Sequence, residues 1–286
     1  MNNICFISSG FQLLNAYEYS KVFNLQFSYY AFFDSENEKK QLLNTADHLN
    51  IKKIYLIKRI KILTHIYLLL FFLKSSNNLI IGNLKDNHML FLTKLFTYKK
   101  IILIDDGIST LDSYKYYNSK NYNSFKYPKK LVFFSIFDLG DDSSSIKNNF
   151  NFSIDLQKNN SDEVFFIGQP MENILGEDEY YRVLNKIKAL NPTLTYIAHR
   201  RDSEKKLLFI GEVMGIRILK LNEIIELNLL KSKFLPSKII SFYSTSLITL
   251  KLLFKDKIMV NYVFKNEMLN DNLLSIFEKL NIRNEL

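Results

Sequence analysis

The sequence has little cysteine, glycine or proline, and these shortages exclude disulfides and cysteine-based metal sites and disfavour long loops. Cys5 is the only cysteine among 286 residues, so neither a disulfide within the chain nor a cysteine-based metal site is possible. Only 8 glycines and 4 prolines are present, which predicts short loops and long regular elements. A chain without disulfides suits a reducing compartment, and we expect it to be cytoplasmic.

Membrane-directing features are also scarce. Residues 1–4 (Met-Asn-Asn-Ile) show neither a basic stretch nor an apolar core, so no signal peptide is expected. The most apolar segment, residues 60–73, is interrupted by polar side chains, and its unbroken part, residues 66–73, is too short to span a bilayer. We interpret it as a core helix, with peripheral contact to the inner face of the cytoplasmic membrane as the alternative.

Common cofactor motifs are missing as well. No G-x-G-x-x-G follows the first apolar run, no Walker A loop occurs, and no metal-ligand spacing is present, which disfavours NAD-dependent and P-loop chemistry. We therefore expect no metal and no cofactor. The net charge of +9 favours an acidic partner, but the lysines are scattered, which argues against nucleic acid. An anionic membrane, an acidic sugar donor and a plain solvated surface remain open interpretations.

The order of apolar patterns predicts two domains. Short β-prone runs alternate with amphipathic helical patterns in both halves of the chain, which is typical of an α/β fold with parallel sheets and helices on both faces. Residues 140–162 are polar and irregular, so we place the border near residue 160, between domains 1–160 and 161–286. Residues 114–127, rich in tyrosine, asparagine and lysine, are predicted to form a mobile surface loop.

One polar cluster follows the β-prone run at residues 194–197. This run ends in Ala198 and then His199, Arg200 and Arg201. In open α/β sheets ligands bind beyond the carboxyl ends of strands, and histidine with arginine is suited to holding a phosphate. A core histidine is the alternative, but burying this cluster without an anionic partner would be costly. We favour an anion site in which His199 can also transfer a proton.

A second polar cluster follows the run at residues 238–240. Ser241 and then Ser244, Thr245 and Ser246 precede a helical pattern. One hydroxyl is enough to cap a helix, whereas several hydroxyls beside free amides form a cradle for phosphate or carboxylate. Capping alone and anion binding both remain open.

Acidic residues supply candidates for a general base. Asp105 and Asp106 precede Gly107 at the end of an apolar run, where they suit a metal, a substrate hydroxyl or a simple turn. Asp178 lies in an acidic helix start that the macrodipole favours, so a structural role is the first interpretation there. Glu226 lies within a predicted helix and is a candidate for contacting a ribose hydroxyl.

These motifs together resemble the bacterial sialyltransferases, most closely glycosyltransferase family 52 and its relatives in capsule and lipooligosaccharide synthesis. Residues 105–107 are similar to the acidic pair with glycine of those enzymes, and Ser244 with Thr245 is similar to their Ser-Ser/Thr motif. His199 matches the histidine of their His-Pro motif, although Arg200 replaces the proline. The resemblance extends over most of the chain and is strongest between Gly168 and Leu253.

The resemblance implies a GT-B fold with two Rossmann-like domains facing a central cleft. It also implies an inverting sialyltransferase that uses CMP-sialic acid or a related CMP-nonulosonate and a hydroxyl of a surface glycan. Departure of a single phosphate does not demand Mg²⁺, so a metal-independent reaction is compatible with the sequence. A GT-B enzyme using another nucleotide sugar and a non-catalytic binding module of a capsule assembly complex are the alternatives.

The resemblance also implies residue roles. Asp105 would deprotonate the acceptor, and His199 would stabilise or protonate the departing phosphate. Asp106, the second acid of the pair, would belong to the same catalytic group. Asp178 is the alternative base. The donor-binding set would comprise Gly168, Gln169, Arg200, Glu226, Ser244 and Thr245, with the two serine-motif residues on the phosphate and Gly168 and Glu226 on the cytidine or ribose.

Overall fold

The computed structural model of the chain divides into two compact units, which are described separately. It describes residues 2–59, 76–95, 98–124, 126–128, 130–140, 144–150, 158–264 and 271–286. Unit 1 comprises Met1–Asn151 with Asn222–Ile224, and unit 2 comprises Phe152–Leu221 with Ile225–Leu286. The division at 151/152 precedes the border that the sequence suggested near residue 160, and residue 160 lies within a strand of unit 2. The apolar helix expected at residues 60–73 falls outside the described residues.

Unit 1 contains a parallel sheet with helices between its strands. Its described strands are β1 (Asn2–Ile7), β2 (Phe27–Phe33), β3 (Ile54–Lys58), β4 (Ser76–Ile81), β5 (Tyr98–Ile104), β6 (Val132–Ser135) and β7 (Ser145–Lys147). Its described helices are α1 (Gly10–Val22), α2 (Glu36–His48), α3 (Asn87–Leu95) and α4 (Ser109–Tyr117). In the part of the chain described, the strands follow the order β3-β2-β1-β4-β5-β6-β7.

The central strands of unit 1 are apolar on both faces, as expected for a sheet covered by helices. Phe6, Leu79 and Leu103 from β1, β4 and β5 pack in one buried cluster. Cys5 in β1 is 0% exposed, and burial raises the pKa of its thiol well above the ordinary value. Helix α1 starts at an N-cap serine, Ser9, whose side chain accepts a hydrogen bond from the Gln12 amide nitrogen.

Unit 2 repeats this plan. Its described strands are β8 (Asn159–Ile167), β9 (Leu194–Ile197), β10 (Arg217–Leu219), β11 (Phe234–Ser241), β12 (Met259–Tyr262) and β13 (Arg283–Asn284). Its described α-helices are α5 (Glu172–Leu175), α6 (Glu177–Leu190), α7 (Glu204–Leu208), α8 (Ile225–Lys231), α9 (Thr245–Phe254) and α10 (Asp271–Lys279). Among these residues the strand order is β10-β9-β8-β11-β12-β13, and every pairing is parallel.

Strand order reverses once in each sheet, and that position is where open α/β sheets bind ligands. In unit 1 the chain runs outward from β1 to β3 and then returns to place β4 on the other side of β1. In unit 2 it runs from β8 to β10 and returns to place β11 beside β8. The reversal points therefore lie between β1 and β4 and between β8 and β11.

The segment predicted as a mobile loop, residues 114–127, is partly helical. Helix α4 extends to Tyr117, and the rings of Tyr117 and Tyr122 meet edge to face with centroids 5.0 Å apart. The Tyr122 hydroxyl donates to the Pro128 carbonyl at 2.5 Å. The loop prediction was therefore wrong for residues 114–117, whereas the described residues from 118 to 127 form turns and bends and contain no helix or strand.

Among the described residues, no helix is both long and apolar enough to span a bilayer.

Candidate functional site

Three neighbouring strands of unit 2 end in the polar residues that the sequence singled out. Ile167 of β8 pairs with Ile197 of β9 on one side and with Ser241 of β11 on the other, so the three carboxyl ends are level. Gly168 and Gln169 follow β8, and His199 follows β9. With strands spaced about 4.8 Å apart, the three ends span roughly 10 Å.

Backbone hydrogen bonds fix the imidazole of His199 in one tautomer. The amide N–H of Arg201 donates to His199 Nδ1 at 3.2 Å, so Nδ1 is an acceptor and the ring proton resides on Nε2. Burial, together with the charges of Arg200, Arg201 and Lys206, lowers the pKa of His199 to about 4, against the opposing effect of Asp202. The imidazole is therefore neutral at pH 7 and offers one N–H, which suits a hydrogen-bond donor better than a proton donor.

Asp202 holds the loop that carries His199. Its Oδ2 accepts from the His199 backbone N–H at 2.8 Å and from the Tyr196 hydroxyl at 2.9 Å. Its Oδ1 pairs with Lys206 Nζ at 2.7 Å. A single carboxylate thereby ties the end of β9 to the first turn of α7, which explains why the loop keeps a defined shape.

Lys206 is a buried cation at the centre of this network. Its side chain is 6% exposed, and Nζ contacts the carboxylates of Asp202 and Glu172. Nζ also lies 4.2 Å from the ring centroid of Tyr180, a cation–π distance. Burial alone would lower the pKa of Lys206, but Tyr180 and the two carboxylates outweigh it and raise the pKa. The charge of Lys206 is thus compensated within the protein by Asp202 and Glu172.

The glycine at position 168 has a packing reason. A Cβ there would lie 2.4 Å from the Tyr196 hydroxyl and 3.0 Å from the Ile197 carbonyl oxygen. The Tyr196 hydroxyl is held in place by two hydrogen bonds. It donates to Asp202 and therefore accepts from the Tyr180 hydroxyl, with 2.9 Å between the two tyrosine oxygens. Close approach of β8 to β9 therefore depends on Gly168, and its implied contact with a cytidine or ribose stays a prediction.

The start of α9 carries the serine cluster beside the reversal point. Ser244 is the N-cap, and its hydroxyl accepts from the Ser246 amide at 3.3 Å. The first turn contains no acidic residue, so the helix dipole favours an anion there. The Ser241 hydroxyl donates to the Ile167 carbonyl at 2.7 Å and is 3.4 Å from Gln169 Oε1, which joins β11 to β8. Ser244 and Thr245 are half-buried and lie at the level edge described above.

Glu226 and Asp178, two further candidates in unit 2, differ in burial: the first is buried and the second is exposed. Glu226 is 2% exposed, its Oε1 accepts from the Thr249 hydroxyl at 2.6 Å, and burial raises its pKa. Glu226 thus lies between the packed helices α8 and α9. Its side chain would have to become exposed before it could contact a ribose. Asp178 is exposed in the first turn of α6, as the macrodipole favours.

The acidic pair of unit 1 separates into one buried and one accessible carboxylate. Asp105 is 0% exposed; its Oδ1 accepts from the Ser135 hydroxyl at 2.7 Å and its Oδ2 from the Ile136 N–H at 2.6 Å. Asp106 is only half-buried and accepts from the side-chain amides of Gln12 and Asn83. The Asp105 carboxylate thus fastens β5 to β6, and Asp106 is the more exposed of the two. The role as base that the resemblance implies for Asp105 stays a prediction.

Asp105 makes the stability of unit 1 dependent on pH. Burial raises its pKa to about 7, despite the hydrogen bonds from Ser135 and Ile136 that lower it. The folded state then holds a proton that the unfolded chain has lost, so wild-type stability should fall as pH rises from about 4 to 7. Replacing Asp105 with asparagine should remove this loss, which is on the order of a few kcal/mol. Urea unfolding of wild type and Asp105→Asn at pH 5 and pH 8 measures this loss in the free energy of unfolding. If the two proteins lose the same free energy of unfolding between pH 5 and pH 8, Asp105 is not the group responsible.

Sequence patterns did not indicate several residues of these sites. Gln12, Asn83 and Asp202 were not assigned roles, although each lies within about five residues of a strand end, and that placement was the available signal. Lys206 lies further on, in α7, and offered no such signal. Among the described residues, no group of three or more histidine, cysteine or acidic side chains is arranged to hold a metal.

Comparison with solved structures gives the fold class. A putative UDP-N-acetylglucosamine 2-epimerase from Listeria monocytogenes has a TM-score of 0.56 at 10% identity, covering 98% of this chain and 87% of that one. MnaA of S. aureus in complex with UDP has a TM-score of 0.57 at 11% identity, covering 93% and 80%. The UDP-GlcNAc 2-epimerase of Neisseria meningitidis bound to UDP-GlcNAc has a TM-score of 0.52 at 11% identity, covering 96% and 85%.

At such low identity the likeness shows the fold alone. Two Rossmann-like parallel-sheet domains of the GT-B class are therefore confirmed. No protein-family model matches the sequence, and no curated protein sequence matches it.

Proposed function

We propose that this chain is an inverting glycosyltransferase that moves a nonulosonic acid from a CMP-activated donor to a hydroxyl of a surface glycan. The observation that carries the proposal is the level edge of unit 2, where His199, Gln169 and Ser244 follow three adjacent strands at the point of strand reversal. This edge combines a neutral N–H donor, a helix start free of acidic residues and two arginines, all suited to a phosphate. The motif order shared with bacterial sialyltransferases supplies the choice of donor.

The chemistry assigns a task to each group. The acceptor oxygen bonds to the anomeric carbon while the bond from that carbon to the phosphate oxygen breaks, and the electron pair leaves with CMP. Asp106 takes the hydroxyl proton, and the negative charge grows on the phosphate. Fixed donors such as the His199 Nε2–H and the amides of α9 stabilise that developing charge without reorganisation. Asp178 stays the alternative base, and Arg200 adds a cation beside the phosphate.

A UDP-sugar enzyme is the second candidate. Solved structures of similar fold are UDP-N-acetylglucosamine 2-epimerases or contain UDP, so this fold is used with uridine nucleotides. Arg200 and Arg201 together would suit the second phosphate of a diphosphate.

Binding of nucleotides to the purified chain separates the candidates. Calorimetric titration with CMP, UMP and UDP should give saturable binding of CMP, weakened about tenfold or more by replacing Ser244 and Thr245 with valine. CMP-Neu5Ac with a lactose-type acceptor should then release CMP. The matched control is Thr193→Val, a change of the same type at an exposed turn. Binding of UDP without CMP would transfer the assignment to UDP-sugars, and binding of neither would remove the support for a nucleotide-sugar enzyme.

A further inference from the structure

Three strand ends of unit 1 bring an acid and two amides together at its own reversal point. Phe6 of β1 pairs with Ile81 of β4, and Ile81 pairs with Leu103 of β5, so the ends of these strands are level. Gln12 lies in the first turn of α1 after β1, Asn83 follows β4, and Asp106 follows β5. Residues far apart in sequence thus meet at one edge of the sheet.

The Gln12 amide can adopt only one orientation here. Its Oε1 accepts from the Ser8 backbone N–H at 2.7 Å, and its Nε2 donates to Asp106 Oδ1 at 2.7 Å. A flipped amide would oppose its NH2 to the Ser8 N–H and its oxygen to a carboxylate, losing both bonds. Gln12 is 0% exposed, so water cannot replace them.

Asn83 is arranged in the same manner on the other oxygen. Its Oδ1 accepts from the Lys85 backbone N–H at 2.6 Å, and its Nδ2 donates to Asp106 Oδ2. The two amides therefore donate to the two oxygens of the Asp106 carboxylate from different directions, which fixes the plane of the carboxylate. Both donors are neutral, so they orient the group without placing a cation next to it.

Gly82 provides the room for this arrangement. A Cβ at position 82 would lie 2.1 Å from Gln12 Oε1 and 2.4 Å from its Cδ, so any larger residue would displace the amide. Gly82, which directly follows β4, is thus required by the position of the Gln12 side chain.

We propose that Gln12 and Asn83 are positioning residues that hold the Asp106 carboxylate in the orientation needed to accept the proton of the acceptor hydroxyl. This inference rests on the proposed function, in which Asp106 is the base. A base that rotates freely spends little time aligned with its proton, and a misplacement of about 1 Å can cost about 100-fold in rate. Fixed neutral amides remove that freedom and add no charge of their own beside the carboxylate.

Single and double substitutions test the inference on the full chain. Gln12→Met and Asn83→Leu should each lower the turnover number for CMP release with acceptor about 10- to 100-fold. The donor KM should change by no more than about twofold, since neither residue binds the donor. In an Asp106→Asn background, Gln12→Met should lower turnover by no more than about twofold further, because the two residues act through one group.

The control is Asn15→Leu, which removes another fully buried amide from α1. Asn15 bonds to the Phe11 carbonyl and to Asn148 instead of Asp106, so its loss should lower stability and leave turnover near the wild-type value. Asn83 is half-buried, so its variant keeps the test available if Gln12→Met does not fold.

The possible failures are distinct. If the wild-type chain releases no CMP, UMP or UDP from any nucleotide sugar, the proposed function fails, and this inference fails with it. If wild-type protein is active while the folded variants keep full turnover, or lose it additively with Asp106→Asn, the proposed function stands and the positioning role is overturned.

Discussion

The Asp106→Asn variant is expected to lose transfer to the acceptor by roughly 10²- to 10⁴-fold, the range that general-base catalysis contributes. Asparagine keeps the size of the side chain, but its amide cannot take up the proton of the acceptor hydroxyl. In the proposed reaction Asp106 acts on the acceptor hydroxyl and makes no contact with the donor, so the donor KM should stay within about twofold of wild type. Steady-state CMP release at saturating donor and acceptor measures the loss.

Asp112→Asn is the matched control, because Asp112 is an exposed carboxylate on α4, a short distance along the chain from Asp106. It should retain the wild-type rate. Loss of transfer in Asp178→Asn, with Asp106→Asn active, would show that the base comes from the start of α6. Loss in Asp105→Asn alone would return the role to the buried carboxylate.

The second large effect is expected at His199. Replacement by alanine removes the Nε2–H donor and should lower the turnover number about 10²- to 10³-fold, as loss of one donor to developing charge does. Glutamine can present an N–H from a similar position and should recover part of the rate. Both variants keep the backbone N–H that bonds to Asp202, so the loop should persist.

The pH dependence of the reaction distinguishes a neutral donor from a general acid. With a pKa of about 4, His199 is neutral across pH 5.5 to 8, so it should add no titration to kcat/KM in that range. A descending limb near pH 6.5 that disappears in His199→Gln would show that the imidazolium is the active form. A wild-type rate in His199→Ala would remove the residue from the chemistry altogether.

Much of the fold could be predicted because periodicity is a local property. The β9 strand was predicted with the limits that it has, and most other strands and helices deviate by a few residues. Helix α4 was missed because the side chains that it buries include Thr110 and Ser113, so it shows no apolar stripe. The periodicity over residues 203–214 predicts one helix. The structure instead has α7 followed by a π-helical turn over Phe209–Val213, and periodicity alone does not distinguish the two.

The candidate site could be predicted only in part, for a physical reason. Strand ends are readable from sequence, so His199, Ser244 and the acidic pair were found. Which acid faces outward was not readable, because residues 101–104 are buried on both faces and show no alternation. The partner of Asp106 on α1 is 94 residues away, and such a pairing arises only from the order of strands in the sheet.

The solitary thiol has a practical use. Cys5 sits in β1, the strand from which both halves of the unit 1 sheet extend, and no other cysteine exists in the chain. A thiol reagent can react with it only when that sheet opens, since the folded strand excludes solvent. The labelling rate of the natural protein therefore reports the opening of unit 1 separately from that of unit 2, without any engineered probe.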